Sequence, residues 1–174
     1  MPITRLNHAV LWVRDAARSA DFYQSVLGFK TVAGVEGDGI FLLQAAGSTN
    51  DHDLGLFSIG EGAGPTTAGQ GQVGLYHMAW EVDTLDELAR IEGVLRAAGA
   101  LVGASDHGTT KALYAKDLDG IEFEVSWLVP ADQLDDAAIE ARKRILPLDL
   151  DAEIKRYGGS TRGGVGVSFA APVG

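Results

Sequence analysis

The chain states one pattern twice. "LNHAVLWVRDAARS" (residues 6–19) and "LYHMAWEVDTLDEL" (residues 75–88) each open on leucine, one intervening residue and histidine. Each reaches a valine five residues past that histidine and then enters a polar, helix-starting segment. Such self-similarity marks a duplicated supersecondary unit, and it restricts the fold more than any compositional figure.

The first copy begins with the β-rich run "ITRLNHAVLWV". "RDAARSADFYQSVLG" follows as a helix, with Asp15 as its cap, Phe22, Val26 and Leu27 near helical spacing, and Gly28 as its stop. Three apolar runs, "FKTVAG", "GIFLLQAA" and "DLGLFSI", are separated by turn-forming residues. In the second copy the strand is "VGLYHMAWEV" and the helix "DTLDELARIEGVLRAAG". Thr84 and Glu87 stand at capping-box spacing, Leu85, Leu88, Ile91 and Leu95 form a stripe, and Gly99 ends it. "ALVGAS", "KALYAK" and "IEFEVSWLV" complete the copy. Each copy therefore reads β-α-β-β-β, an α+β organisation: a first module over 1–60, a Gly-rich connector over 61–73 and a second module over 74–129. Residues 130–174 form a C-terminal extension, with an acidic helix over 131–146, a short helix in "DLDAEIKRYG", and a loose tail or a strap on a partner subunit.

A net charge of -10 argues against a nucleic-acid surface, which needs clustered Lys and Arg, and supplies no polybasic patch for a membrane. The absence of cysteine excludes disulfides, thiolate metal sites and thiol nucleophiles. "MPITRLNH" lacks a signal-peptide pattern and no apolar run reaches the ~20 residues that span a bilayer, so a cytoplasmic protein is expected.

Four histidines, His8, His52, His77 and His107, are available for chemistry. Either His8 or His77 alone reads as a hydrogen-bonded core residue. The duplication changes this, because two copies packed about a pseudo-twofold axis would bring their first strands, and these two imidazoles, together. "DLDGIEFEVSW" offers a carboxylate. The reading assigns Glu122 and Glu124 to opposite faces of one strand, with Phe123 and Val125 opposite Glu124. A carboxylate in a buried strand is costly unless paired or metal-bound; a solvent-facing Glu on an edge strand is the alternative. Two histidines and one carboxylate suit non-haem Fe(II), and zinc accepts the same ligands.

Over residues 4–128 the sequence resembles the vicinal oxygen chelate superfamily, whose paired βαβββ modules form a metal-holding β-bowl. The resemblance implies metal ligands at His8 and His77, in the first strand of each module. "DLDGI" stands where the family has a turn like "DPDGN", and the spacing past its glycine selects Glu124 over Glu122. The last strand of the first module, "DLGLFSI", has no acidic or amide side chain over 54–59, which disfavours the four-ligand glyoxalase I type. "NDHDLGLF" resembles the strand of type I extradiol dioxygenases that carries the acid–base histidine, implying that role for His52. "SDHGTTKALYAKDLDG" resembles the segment ahead of the metal Glu, with Tyr114 ten residues before Glu124; this implies that Tyr114 donates a hydrogen bond to a substrate oxygen and His107 orients it.

The implied function is Fe(II)-dependent extradiol cleavage of a catechol-like diol by O₂, with Mn(II) as the other metal and a homodimer as the expected assembly. Two further classes are consistent with the superfamily. A fosfomycin-inactivating transferase or an epimerase would need basic groups that this acidic chain does not cluster, and a glyoxalase-like enzyme would want the fourth ligand that residues 54–59 do not offer. A metal-free drug-binding module would not need His8, His77 and Glu124.

Overall fold

The structure is a computed structural model that describes residues 2–3 and 5–164. The chain divides into two compact units, one of residues 1–67 with 117–120, the other of residues 68–116 with 121–174.

In the first unit, strand β1 (Ala9–Val13) leads into helix α1 (Ala16–Leu27) and strands β2 (Lys30–Val35), β3 (Ile40–Gln44) and β4 (Leu54–Ser58). The sheet order is β1-β4-β3-β2, with β1 parallel to β4 and the other pairs antiparallel. Asp15 starts α1 where expected: its carboxylate accepts from the amides of Ala17 and Arg18, which otherwise lack intrahelical partners. Gly28 ends it in the left-handed region at φ 73°, returning its N–H to Gln24 O. Ala16, Ala20, Tyr23 and Val26 bury against Leu11, Val13, Leu43, Leu54 and Leu56, forming one core. The turn Asp117–Gly120 clusters with this unit, where Arg14 Nη1 meets Asp119 Oδ1 at 2.5 Å and Tyr23 Oη donates to Asp117 Oδ2 at 3.1 Å.

The second unit repeats the order: β5 (His77–Glu81), α2 (Leu85–Ala97), β6 (Leu101–Asp106), β7 (Thr110–Lys116) and β8 (Glu122–Leu128). A two-residue strand β9 (Leu146–Pro147) extends the sheet to β5-β8-β7-β6-β9. Leu85, Leu88, Ile91 and Leu95 of α2 bury with Leu113, Phe123, Val125 and Trp127 of β7 and β8. The capping box is half made. Thr84 Oγ1 accepts from Glu87 N at 3.2 Å, but Arg90 forks the Glu87 carboxylate at 2.6 and 2.8 Å. That pairing holds the acid below the usual carboxylate range.

The C-terminal extension departs from expectation in two places. The helix expected over 131–146 is only α3 (Asp136–Ala141), because Asp135 caps it at Ala138 N and Leu146–Pro147 is drawn into pairing with β6. The second expected helix is present as α4 (Leu150–Tyr157), capped by Asp149. The expected loose tail is anchored as far as Gly164: Trp127 Nε1 donates to Thr161 O at 3.2 Å, Gly163 N to Asp83 O at 2.8 Å and Asp86 N to Gly159 O at 2.9 Å. Its remainder, residues 165–174, lies outside the described residues. No helix of the described residues is long and apolar enough to cross a membrane.

Candidate active site

In the second unit, β8 lies between β5, its parallel neighbour, and β7, its antiparallel one. The register pairs Glu124 with Tyr114 on β7 and with Ala79 on β5, and pairs Glu122 with His77. The assignment of Glu122 and Glu124 to opposite faces is therefore wrong: side chains repeat every second residue, so the two share a face. Phe123 and Val125 fill the core on the other side of the strand.

On this shared face His77 Nε2 stands 3.2 Å from Glu124 Oε2, and both side chains are largely shielded. His77 Nδ1 is buried without a hydrogen-bond partner among the described residues. Tyr114 hydrogen-bonds Glu124, and its hydroxyl shares a 2.9 Å hydrogen bond with His107 Nε2. An ionised carboxylate only accepts, so Tyr114 gives its single proton to Glu124 and accepts from His107 Nε2–H. Burial, then the Glu124 charge and that hydrogen bond, push the Tyr114 phenol up to about 12, so it is protonated at neutral pH. The rings of His77 and Tyr114 meet edge to face at 5.7 Å.

Sequence reasoning missed Tyr76 and set Glu122 aside in favour of Glu124. The Glu122 charge and a hydrogen bond to it push the exposed Tyr76 phenol up, and the Tyr76 ring lies 4.6 Å from that of His77. The available signal was position alone, a tyrosine directly before the strand histidine and an acid two residues before Glu124.

In the first unit His8 lies one residue ahead of β1 rather than inside it. Its ring stands 4.4 Å from that of His52, which lies two residues ahead of β4. Side-chain hydrogen bonds hold the pair. Asp53 accepts from Ala45 N, Ser48 Oγ and Asn50 Nδ2, and Asn50 Nδ2 also donates to Asn7 O at 2.7 Å. Asn50 thus ties the His52 loop to the segment carrying His8. Asn7 Oδ1 stands 2.7 Å from His8 Nδ1, and Asp51 Oδ2 stands 2.9 Å from His52 Nδ1. Along β1, Val10 and Trp12 are exposed beyond His8, with Trp12 edge to face on Phe57.

Each expected residue thus has a partner within its own unit: His8 with His52, His77 with Glu124, and Tyr114 with His107. Among the described residues no group of three or more His, Asp or Glu is gathered to hold a metal. The His77–Glu124 pair does fit part of a divalent site. Neighbouring ligands bonded at about 2.1 Å to one ion stand roughly 3 Å apart, and a neutral imidazole beside a carboxylate is a donor set that Fe, Mn and Zn accept.

The fold and this face define a protein of two βαβββ units, each beginning with a histidine at its first strand. The chain belongs to the Glyoxalase/Bleomycin resistance protein/Dioxygenase superfamily, whose model matches residues 5–125. It is 32% identical to a lactoylglutathione lyase of Neisseria meningitidis over 124 residues, 69% of this chain and 88% of that protein. It is 29% identical to a catechol-2,3-dioxygenase of Bacillus subtilis over 123 residues, 70% of this chain and 41% of that protein. Among solved structures, a glyoxylase/bleomycin resistance protein/dioxygenase domain of Frankia sp. EAN1pec aligns with TM-score 0.62 at 22% identity, over 76% of this chain and 98% of that one. The fosfomycin resistance protein FosX of Listeria monocytogenes, solved with Mn(II), aligns with TM-score 0.54 at 18% identity, over 71% of this chain and 90% of that one. At these identities the two structures speak for the fold.

Proposed function

We propose that the protein is an extradiol ring-cleaving dioxygenase that acts on a catechol-like diol, with Fe(II) held by His77, Glu124 and His8. The observation that carries this reading is the Glu124–Tyr114–His107 hydrogen-bond chain beside His77. This chain joins a protonated phenol and an imidazole to the carboxylate proposed as a metal ligand, an arrangement suited to holding and orienting a substrate oxygen. The ion, when bound, would acidify the diol and hold it beside O₂.

The chain's own residues do the rest. Tyr114 stays protonated, and when substrate enters its one proton turns from Glu124 to a substrate oxygen. His107, held through Nε2 by Tyr114, orients that same oxygen. His52, against His8, accepts the second hydroxyl's proton and later returns it, a task suited to imidazole. The exposed Val10 and Trp12, with Phe57, give the first unit an apolar, aromatic wall suited to a flat ring.

The test is anaerobic loading with Fe(II), then O₂ uptake with simple catechols. Stoichiometric iron and ring-cleaved product are expected, and His8→Ala should abolish iron retention. Retained iron in that variant refutes the ligand set; isomerisation of a hemithioacetal without O₂ uptake would instead make the protein a lyase.

A further inference from the structure

Lys111 is a charged side chain with no exposed surface, placed within a core strand. It lies on β7 one residue out of phase with Tyr114, three positions before it, and so on the opposite face. Burying an ammonium costs several kcal/mol unless it is fully partnered, and methionine would fill similar space without that penalty. Two carboxylates partner it: Asp106 Oδ1 at 2.5 Å and Glu153 Oε2 at 2.9 Å, with the Tyr157 ring 5.6 Å away.

The partners come from two places. Asp106 ends β6, and its Oδ1 also accepts from Gly108 N at 2.8 Å. That bond shapes the turn in which His107 N donates to Thr110 O at 2.9 Å. Glu153 belongs to α4, in the extension beyond residue 125, where the family match ends. The same extension touches the turn a second time. A Cβ on Gly108 would collide with the Ala138 carbonyl of α3 and stand 2.7 Å from Arg142 N. The His107 turn is therefore clasped from one side by an ion triad and from the other by a helix end.

We propose that Lys111, gripped between Asp106 and Glu153, is a positioning residue for His107. The C-terminal extension acts through it to set the imidazole against Tyr114. Residues 130–164 are in this view a brace for a substrate-facing side chain. The inference rests on the proposed function for the importance of His107, but the bracing has its own readout.

The test uses the full chain with Lys111→Met and Glu153→Gln, beside His107→Ala. In metal-free protein, amide exchange at Gly108 and the His107 imidazole signals are followed by NMR. Gly108 exchange should rise about tenfold and the Nε2–H signal of His107 should weaken in both brace variants. After iron loading, kcat toward a simple catechol should fall about ten- to hundredfold with KM and iron content little changed. Parent-like Gly108 exchange and His107 signals in a folded brace variant would overturn the proposal. Should Lys111→Met fail to fold, Glu153→Gln decides it alone, since that change keeps the volume and sits on a surface helix. Should His107→Ala turn over catechol like the parent, the role given to His107 fails, and should the iron-loaded parent consume no O₂ with catechols, the dioxygenase reading fails; in either case the NMR result still decides the brace.

Discussion

Tyr114→Phe removes one oxygen and two hydrogen bonds, and the structure fixes what should follow. The hydroxyl bonds Glu124 and accepts from His107 Nε2 at 2.9 Å. Deletion leaves the imidazole N–H without its partner and the carboxylate with one donor fewer. A hydrogen bond to a charged group contributes about 1.5–3 kcal/mol, so kcat/KM for a catechol should fall roughly ten- to hundredfold. The variant also has a signature in metal-free protein. The phenol is raised from 10.0 to about 12, chiefly by burial and then by Glu124. The folded state thus holds this proton more tightly than the unfolded one. The stabilisation is complete below pH 10 and is lost as pH rises through about 12. Two pK units would be at most about 2.7 kcal/mol; solvent screening at this partly exposed group lowers that to about 1–2 kcal/mol. Urea unfolding of parent and Tyr114→Phe from neutral pH to the alkaline range measures it. The variant should lose about that much less stability over the window, while Tyr23, buried and bonded to Asp117, keeps its own alkaline loss in both. Equal alkaline loss in the two proteins, or unchanged turnover, would refute the placement of Tyr114 beside an ionised Glu124.

On the proposed ligand set, Glu124→Gln and His77→Ala should each weaken Fe(II) or Mn(II) binding by more than about hundredfold, measured by anaerobic calorimetry, because each removes one of its donors. Leu88→Ala deletes a side chain with no exposed surface and should cost about 2–5 kcal/mol in urea unfolding. Gly163→Ala would drive a Cβ against the Leu128 carbonyl and the Trp127 indole. It should cost about 1–3 kcal/mol and expose residues 158–164 to limited proteolysis.

What the sequence made legible was local. Asp15 and Gly28 bracket α1 because a short acid and a left-handed glycine act on amides and carbonyls within one turn. The leucine stripe of α2 and the strands of both units follow from their periodicity. The spacing of Tyr114 and Glu124 matches an actual cross-strand pair, because β7 and β8 are joined by a short turn that fixes their register. What was not legible depends on distant partners. Nothing near Glu87 announces that Arg90 will take its carboxylate. Asn50 reads as loop until it is found on Asn7 O. Nothing in the run "KALYAK" announces that Lys111 will be buried against Glu153 of α4. The helix expected over 131–146 is shortened by strand pairing with β6, some forty residues earlier in the chain.

The pairing of Tyr114 with Glu124 across β7 and β8, set by the turn between them, has an evolutionary consequence. Losing or gaining one residue in β8 ahead of Glu124 would rotate the acid inward among Leu88 and Trp127 and turn an aromatic or aliphatic neighbour outward. Folding and chemistry would fail in the same event. Relatives are therefore free to vary the spelling of this corner far more than its length, and indels there should be purged even where substitutions drift.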